Sequence, residues 1–137
     1  MDITRLTTLT ANKKIQQFFK FGLVGFSGLA IDFVMTYLLK DQLHIDQYLA
    51  NTIGFGTAVI NNYLLNKIWT FKNKDKNHAK QFIRFALIAT IGLCLNTLCI
   101  LGLQQLHIPF YPAKLMAIAV VFVWNFTANA TITFKEH

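Results

Sequence analysis

The side chains that could do chemistry in the apolar parts of this chain are few. They are Asp32, Asn62, Asn66, Lys67, Arg84, Asn96, Asn125 and Asn129. Their types suit binding better than bond-breaking. An amide both donates and accepts, so it can meet hydroxyls or phosphate oxygens. Lys67 offers a point charge and Arg84 a fork that fits a phosphate bidentately. No Ser-His-Asp set, carboxylate pair, HExxH, P-loop or DxD pattern accompanies them, so an enzyme is not expected. His44, His78, His107 and His137 are scattered, which suggests no metal cluster and no cofactor. Cys94 and Cys99 lie five apart and do not share a helical face. They read as small apolar residues, neither a disulfide nor a metal site.

What must position these residues is a set of long apolar stretches. The chain has 137 residues, with 54% hydrophobic and only 14% charged; a soluble domain has about 25% charged residues. Asp32 is the only charge from Phe21 to Leu39, and none occurs in Tyr48–Asn66, Phe85–Ala113 or Leu115–Phe134. A bilayer-spanning helix needs about 20 mostly apolar residues. Four segments reach that length, apolar almost all round where soluble helices would show polar faces. The expected fold is an all-α integral membrane protein of four transmembrane helices, near 18–39, 48–69, 82–106 and 112–134. Residues 1–17 read as a polar tail or short surface helix, and 18–135 as the membrane domain. Pro112 suits the first turn of the fourth helix.

A net charge of +7 would ordinarily suggest nucleic acid. The placement of the charges argues against it. Eleven of the thirteen bases fall in the N-terminal tail, the central loop 71–80 with its flanks, and the C-terminal tail; only Lys40 and Lys114 fall on the other side. Bases gather on the cytoplasmic side of membranes. Both termini and the central loop are therefore expected in the cytoplasm, with anionic lipid attracted to the basic loop. Trp69, Phe71, Tyr48 and Tyr111 sit at span ends, where an aromatic belt is expected.

The halves repeat. An offset of 64 pairs Phe18 with Phe82, Lys20 with Arg84, Phe21 with Phe85, Gly28 with Gly92, and Asp32 with Asn96. An offset of 63 pairs Ala50 with Ala113, Asn62 with Asn125, Asn66 with Asn129, Thr70 with Thr133, and Phe71 with Phe134. Both halves start inside, so these are two parallel-repeat hairpins. Ala50, Gly54, Ala58, Asn62 and Asn66 recur every four residues. Small residues let helices approach closely and amides can then bond across, so packing alone is a sufficient role for any one of them. Asp32 lies about 18 Å along the helix from Lys20, at about 1.5 Å per residue. An acid at that depth is either functional or a hydrogen-bonded link between helices.

The order of motifs resembles the GtrA-like family of small four-span membrane proteins of cell-surface polysaccharide synthesis. The resemblance rests on Phe18-x-x-Phe21-x-x-Val24-Gly25, Asn62-Tyr63-x-x-Asn66-Lys67-x-Trp69-Thr70-Phe71, Phe82-x-Arg84-Phe85 and Asn125-Phe126-x-x-Asn129-x-x-x-Thr133-Phe134. It implies a flippase that moves a polyprenyl-phosphate-linked sugar, such as undecaprenyl-phosphate glucose, to the outer leaflet, with a membrane glycosyltransferase as partner. Other members are linked to teichoic acid or arabinogalactan. In the second copy Ala130 stands for Lys67 and Ile132 for Trp69, so the phosphate contact is expected mainly in the first half. So small a chain leaves little room for a lipid path, which a homodimer would widen. Two rivals stand beside this reading. One is a non-transporting accessory or anchor of a glycosyltransferase. The other is a proton-coupled exporter using Asp32, which the strong charge bias disfavours.

Overall fold

The computed structural model describes residues 2–135. Residues 136 and 137, part of the expected C-terminal tail, and the side chain of Tyr111 lie outside the described residues. All regular structure among the described residues is helical. The chain divides into two compact units, Met1–Lys72 and Asn73–His137.

In the first unit, helix α1 runs Ile3–Tyr37. It absorbs the expected polar tail into one continuous helix. The cause is local. Asp2 accepts at the N-cap from the Thr4 backbone N–H at 3.4 Å. The Thr7, Thr8 and Thr10 hydroxyls donate to carbonyls three or four residues back, at 2.8, 2.8 and 2.9 Å. No Gly or Pro interrupts residues 3–17. Thirty-five residues make a helix of about 52 Å, longer than the ~30 Å lipid core. The stretch with Arg5, Lys13 and Lys14 is therefore surplus to a crossing.

Asp46 caps helix α2, Gln47–Leu65, and accepts from the Tyr48 and Leu49 N–H groups at 3.1 Å each. The α1–α2 interface is made of Phe21, Val24 and Gly28 with Ala50, Gly54 and Ala58, all buried. The four-residue ridge read from the sequence thus faces α1. Its spacing works because two positions lack a side chain. A Cβ at Gly28 would lie 2.6 Å from Asn62 Nδ2, and one at Gly54 only 2.9 Å from the backbone oxygen of Asp32.

The second unit repeats this plan. Asn77 caps α3, His78–Gln105, and Pro109 precedes α4, Phe110–Ala128. Pro112 sits in the first turn of α4, where no intrahelical donor is lost. Phe85, Ile88 and Gly92 of α3 are buried, as are Ala113 and Ala117 of α4. These are the same repeat positions as in the first unit.

Three helix ends are drawn out into single π-turns: Leu38–Gln42, Asn66–Thr70 and Asn129–Thr133. Each closes with a bond spanning five residues, from Leu43 N to Leu38 O at 3.0 Å, Phe71 N to Asn66 O at 2.8 Å, and Phe134 N to Asn129 O at 2.8 Å. The end of α3 instead closes through left-handed His107, φ 63°, with Ile108 N donating to Leu103 O at 3.1 Å.

Among the described residues three helical segments are long and apolar enough to cross a membrane: Ile3–Gln42, His78–Gln105 and Pro112–Thr133. The α2 segment is not among them; it carries Asn51, Thr52, Thr57, Asn61 and Asn62. Large apolar side chains line the outer surfaces, Phe26, Leu29, Phe33 and Leu115 among the most exposed. Patches this extensive mark surfaces that meet membrane or protein.

The close approaches make a ranked prediction. Gly54→Ala is expected to destabilise most, by about 1–3 kcal/mol, because a backbone carbonyl cannot rotate aside. Gly92→Ala should cost less, since its nearest obstacles are side-chain atoms of Asn125 and Val121. Gly25→Ala, Gly56→Ala and Gly102→Ala meet open space and should stabilise their helices by up to ~1 kcal/mol. Thermal unfolding in detergent, followed by circular dichroism, checks the order. Equal effects at all five glycines would deny the close helix crossing.

Candidate functional site

The polar residues gather where α2 and α4 end. Asn66 and Asn129 are 1% and 2% exposed. Each starts a π-turn and each has its Oδ1 taken by the threonine four residues on. Thr70 Oγ1 donates to Asn66 Oδ1 at 2.8 Å, and Thr133 Oγ1 to Asn129 Oδ1 at 2.7 Å. Asn129 Nδ2 also donates to the Asn125 carbonyl at 2.8 Å. These amides hold the helix ends together, so they shape the region from within.

The π-turn also redirects the residue behind it. Phe71 and Phe134 are 5% and 1% exposed. Phe71 packs on Phe21 with ring centroids 6.3 Å apart, and Phe134 on Phe85 at 6.0 Å. Phe71 is therefore a core residue, contrary to its expected place in the aromatic belt. The extra residue of the wide turn swings it back against the neighbouring helix. Tyr48 and Trp69 do remain exposed.

The bases divide. Lys67, expected from the sequence to offer its charge to a phosphate, is only 7% exposed. Lys20 sits over the Trp69 ring, its Nζ 5.2 Å from the centroid, in a cation–π contact. This brings the start of the apolar part of α1 to the end of α2. Ile132 replaces Trp69 in the second unit, and Arg84, the counterpart of Lys20, is exposed. Lys72, Lys74, Lys76 and Lys80 are exposed as expected.

Deeper in each hairpin an asparagine fills the space opposite a glycine, Asn62 against Gly28 and Asn125 against Gly92. One turn from the first pair, Asp32 Oδ1 accepts from Thr36 Oγ1 at 3.2 Å, and the same oxygen faces Gly54. Asn96, at the matching place, is partly buried on α3. The structure thus brings Asp32, Asn62, Asn66 and Lys67 onto the α1–α2 hairpin. It places Arg84, Asn96, Asn125 and Asn129 on the α3–α4 hairpin.

Three participants were missed from sequence. Asn61 Nδ2 donates to Ser27 Oγ at 3.2 Å and to Asn62 Oδ1 at 3.3 Å. Trp124 Nε1 donates to the Ile88 carbonyl at 3.2 Å. Gln81, buried, donates through Nε2 to Asn73 Oδ1 at 2.9 Å and to the Thr133 carbonyl at 3.1 Å, which ties the central loop to the end of α4. The repeat held a signal for Gln81, since Gln17 lies 64 residues earlier. Asn61 and Trp124 occupy one repeat position with unlike residues, and pattern matching passes over such a pair.

Twin helical hairpins with apolar exteriors, small-residue crossings and buried amides define an integral membrane domain. The chain belongs to the GtrA/DPMS transmembrane domain family, which its residues 20–134 match. It is 27% identical to an uncharacterized membrane protein, YngA, of Bacillus subtilis, over 93% of this chain and 86% of that one. It is also 26% identical to a dolichol-phosphate mannosyltransferase of Pyrococcus furiosus, over 88% of this chain. There the match spans only 34% of the enzyme.

The threonine clamps yield a direct test. Thr70→Val and Thr133→Val keep shape but leave a buried amide oxygen without its donor. Each is expected to cost about 1–3 kcal/mol. Asn66→Leu combined with Thr70→Val should cost less than the sum of the two, with a coupling of about 0.5–3 kcal/mol. Denaturant titration of the four proteins in micelles measures it, and strict additivity would remove the clamp from the account.

Proposed function

We propose that this protein moves a polyprenyl-phosphate-linked sugar across the cytoplasmic membrane for synthesis of a cell-surface polymer. One observation carries the reading. The segment shared with a mannosyltransferase is a transmembrane domain, and that enzyme is named for dolichol phosphate, itself a polyprenyl phosphate. What such proteins would share is the handling of a lipid phosphate within the bilayer.

In this reading α2 crosses with the other three segments, and the central loop and both termini lie in the cytoplasm. Support for α2 comes from its partnership with α1, which covers its small-residue ridge. Lys20 and Lys67 are the first hairpin's bases for capturing the phosphate on the cytoplasmic side, Arg84 is the second hairpin's, and anionic lipid gathers at the exposed lysines. The polar groups a head group would meet at depth, where lipid offers none, are Asp32 on the first hairpin and Asn96 and Asn125 on the second, while Asn62 is bonded by its neighbour Asn61. Asn66 and Asn129 act by shaping the helix ends. The prenyl chain stays in lipid, and a second copy of the protein could widen the path.

A second reading is an anchor for a membrane glycosyltransferase. It is favoured by the same mannosyltransferase, in which the matching segment is part of an enzyme chain about three times as long.

Reconstitution separates the two. Vesicles with the protein and a labelled polyprenyl-phosphate hexose are expected to expose the sugar to an outside probe far faster than empty vesicles. Arg84→Gln should slow exposure about 10–100-fold, the worth of a charge-assisted hydrogen bond. Because Arg84 is exposed, the substitution should shift stability by less than ~0.5 kcal/mol. Equal rates with and without protein would sink translocation. Co-purification of a glycosyltransferase would then speak for the anchor.

A further inference from the structure

The two hairpins differ at the one place where their polar cores should match. Asn62 and Asn125 are repeat equivalents, each set against a glycine of the facing helix. In the first hairpin Asn62 Oδ1 accepts from Asn61 Nδ2 at 3.3 Å. In the second, Trp124 takes the place of Asn61 and spends its only donor on the Ile88 carbonyl, at 3.2 Å. Asn125 Oδ1 is left buried without a hydrogen-bond partner, the one such side-chain atom found among the described residues. Gly92, which the amide faces, has no side chain that could supply a donor.

An acceptor in this state costs about 1–3 kcal/mol, and the bilayer core offers no water to relieve it. Buried polar atoms without partners are few, and each calls for a missing donor. Asn125 as a residue stays partly exposed, so a rotation about its Cβ–Cγ bond turns the oxygen toward the accessible side. The donor it lacks is an O–H or N–H from outside the hairpin.

We propose that Asn125 Oδ1 accepts a hydroxyl of the sugar carried by the lipid, so that selectivity for the sugar resides in the second hairpin. Asn62, closed by Asn61, contributes none. This rests on the translocase reading and narrows it. The second hairpin then reads the sugar, whichever of the bases named above takes the phosphate. Trp124 is a positioning residue: its bond to Ile88 keeps it from satisfying Asn125.

The test is a ratio of affinities in nanodiscs, between undecaprenyl phosphate and the same lipid carrying glucose, galactose or mannose. The wild type is expected to prefer at least one hexosyl lipid by about tenfold, one hydrogen bond's worth. Asn125→Ala should erase that preference without weakening binding of the bare lipid. Trp124→Asn, which rebuilds the closed arrangement of the first hairpin, should erase it too. Trp124→Phe, which supplies no donor, and Asn62→Ala should both retain it. A preference that survives Asn125→Ala, or is lost equally in Asn62→Ala, overturns the proposal. So does a wild type that binds bare and hexosyl lipids alike, although the phosphate reading then stands. If the oxygen serves only a trapped water, the sugar ratio will be the same in all five proteins, which also overturns it. Binding of none of these lipids sinks the translocase reading itself.

Discussion

The structure depends on how a helix is closed beside lipid. The last carbonyls and the polar side chains near them need partners, and the chain supplies them from its own side chains. Here Asn66 with Thr70, and Asn129 with Thr133, answer that need inside a π-turn, at 2.8 and 2.7 Å. The wide turn consumes one more residue than an α-turn. It therefore throws Phe71 and Phe134 back onto Phe21 and Phe85. One local closure thereby fixes the helix end, buries an aromatic anchor and sets where the chain leaves. In the first unit that exit is Lys72, held at a left-handed φ of 46°.

The repeat supplies a common frame, and the departures from it make the two hairpins chemically unlike. Glycines at 28 and 92 face asparagines at 62 and 125 in both hairpins. Around that shared crossing the first hairpin is polar, with Ser27, Asp32, Thr36 and Asn61 joined in hydrogen bonds. The matching positions of the second are Ile91, Asn96, Ile100 and Trp124. The bases follow the same asymmetry. Lys20 is held against Trp69, whereas Arg84 has Ile132 in the corresponding place. A duplicated scaffold can thus divide labour between a charged contact and a neutral one without changing its backbone.

The large features were legible because each has a period or a composition of its own. Apolar stretches, the four-residue ridge of α2, the offsets of 64 and 63 and the family motifs are all properties of spacing. The site was legible as a residue list and less so as an arrangement. Spacing does not reveal a side chain's partner, so Asn66 and Asn129 read as ligand-facing amides when their oxygens are bonded within their own turns. Lys67 read as a point charge open to a phosphate, yet it is buried. Gln81 read as an unremarkable polar residue between Lys80 and Phe82, yet it joins loop and helix end.

By itself the sequence determined a helical membrane domain, its twofold internal repeat and its family. Those follow from hydrophobicity and periodicity, which survive in a one-dimensional pattern. Tertiary structure alone decided that the helix ends open into π-turns, that Phe71 faces the core, and that Asn125 lacks the donor Asn62 enjoys. Each depends on the direction of a side chain and on what lies within about 3 Å of its polar atom. That distance is set by the crossing of two helices far apart in the chain, so no spacing along one of them encodes it.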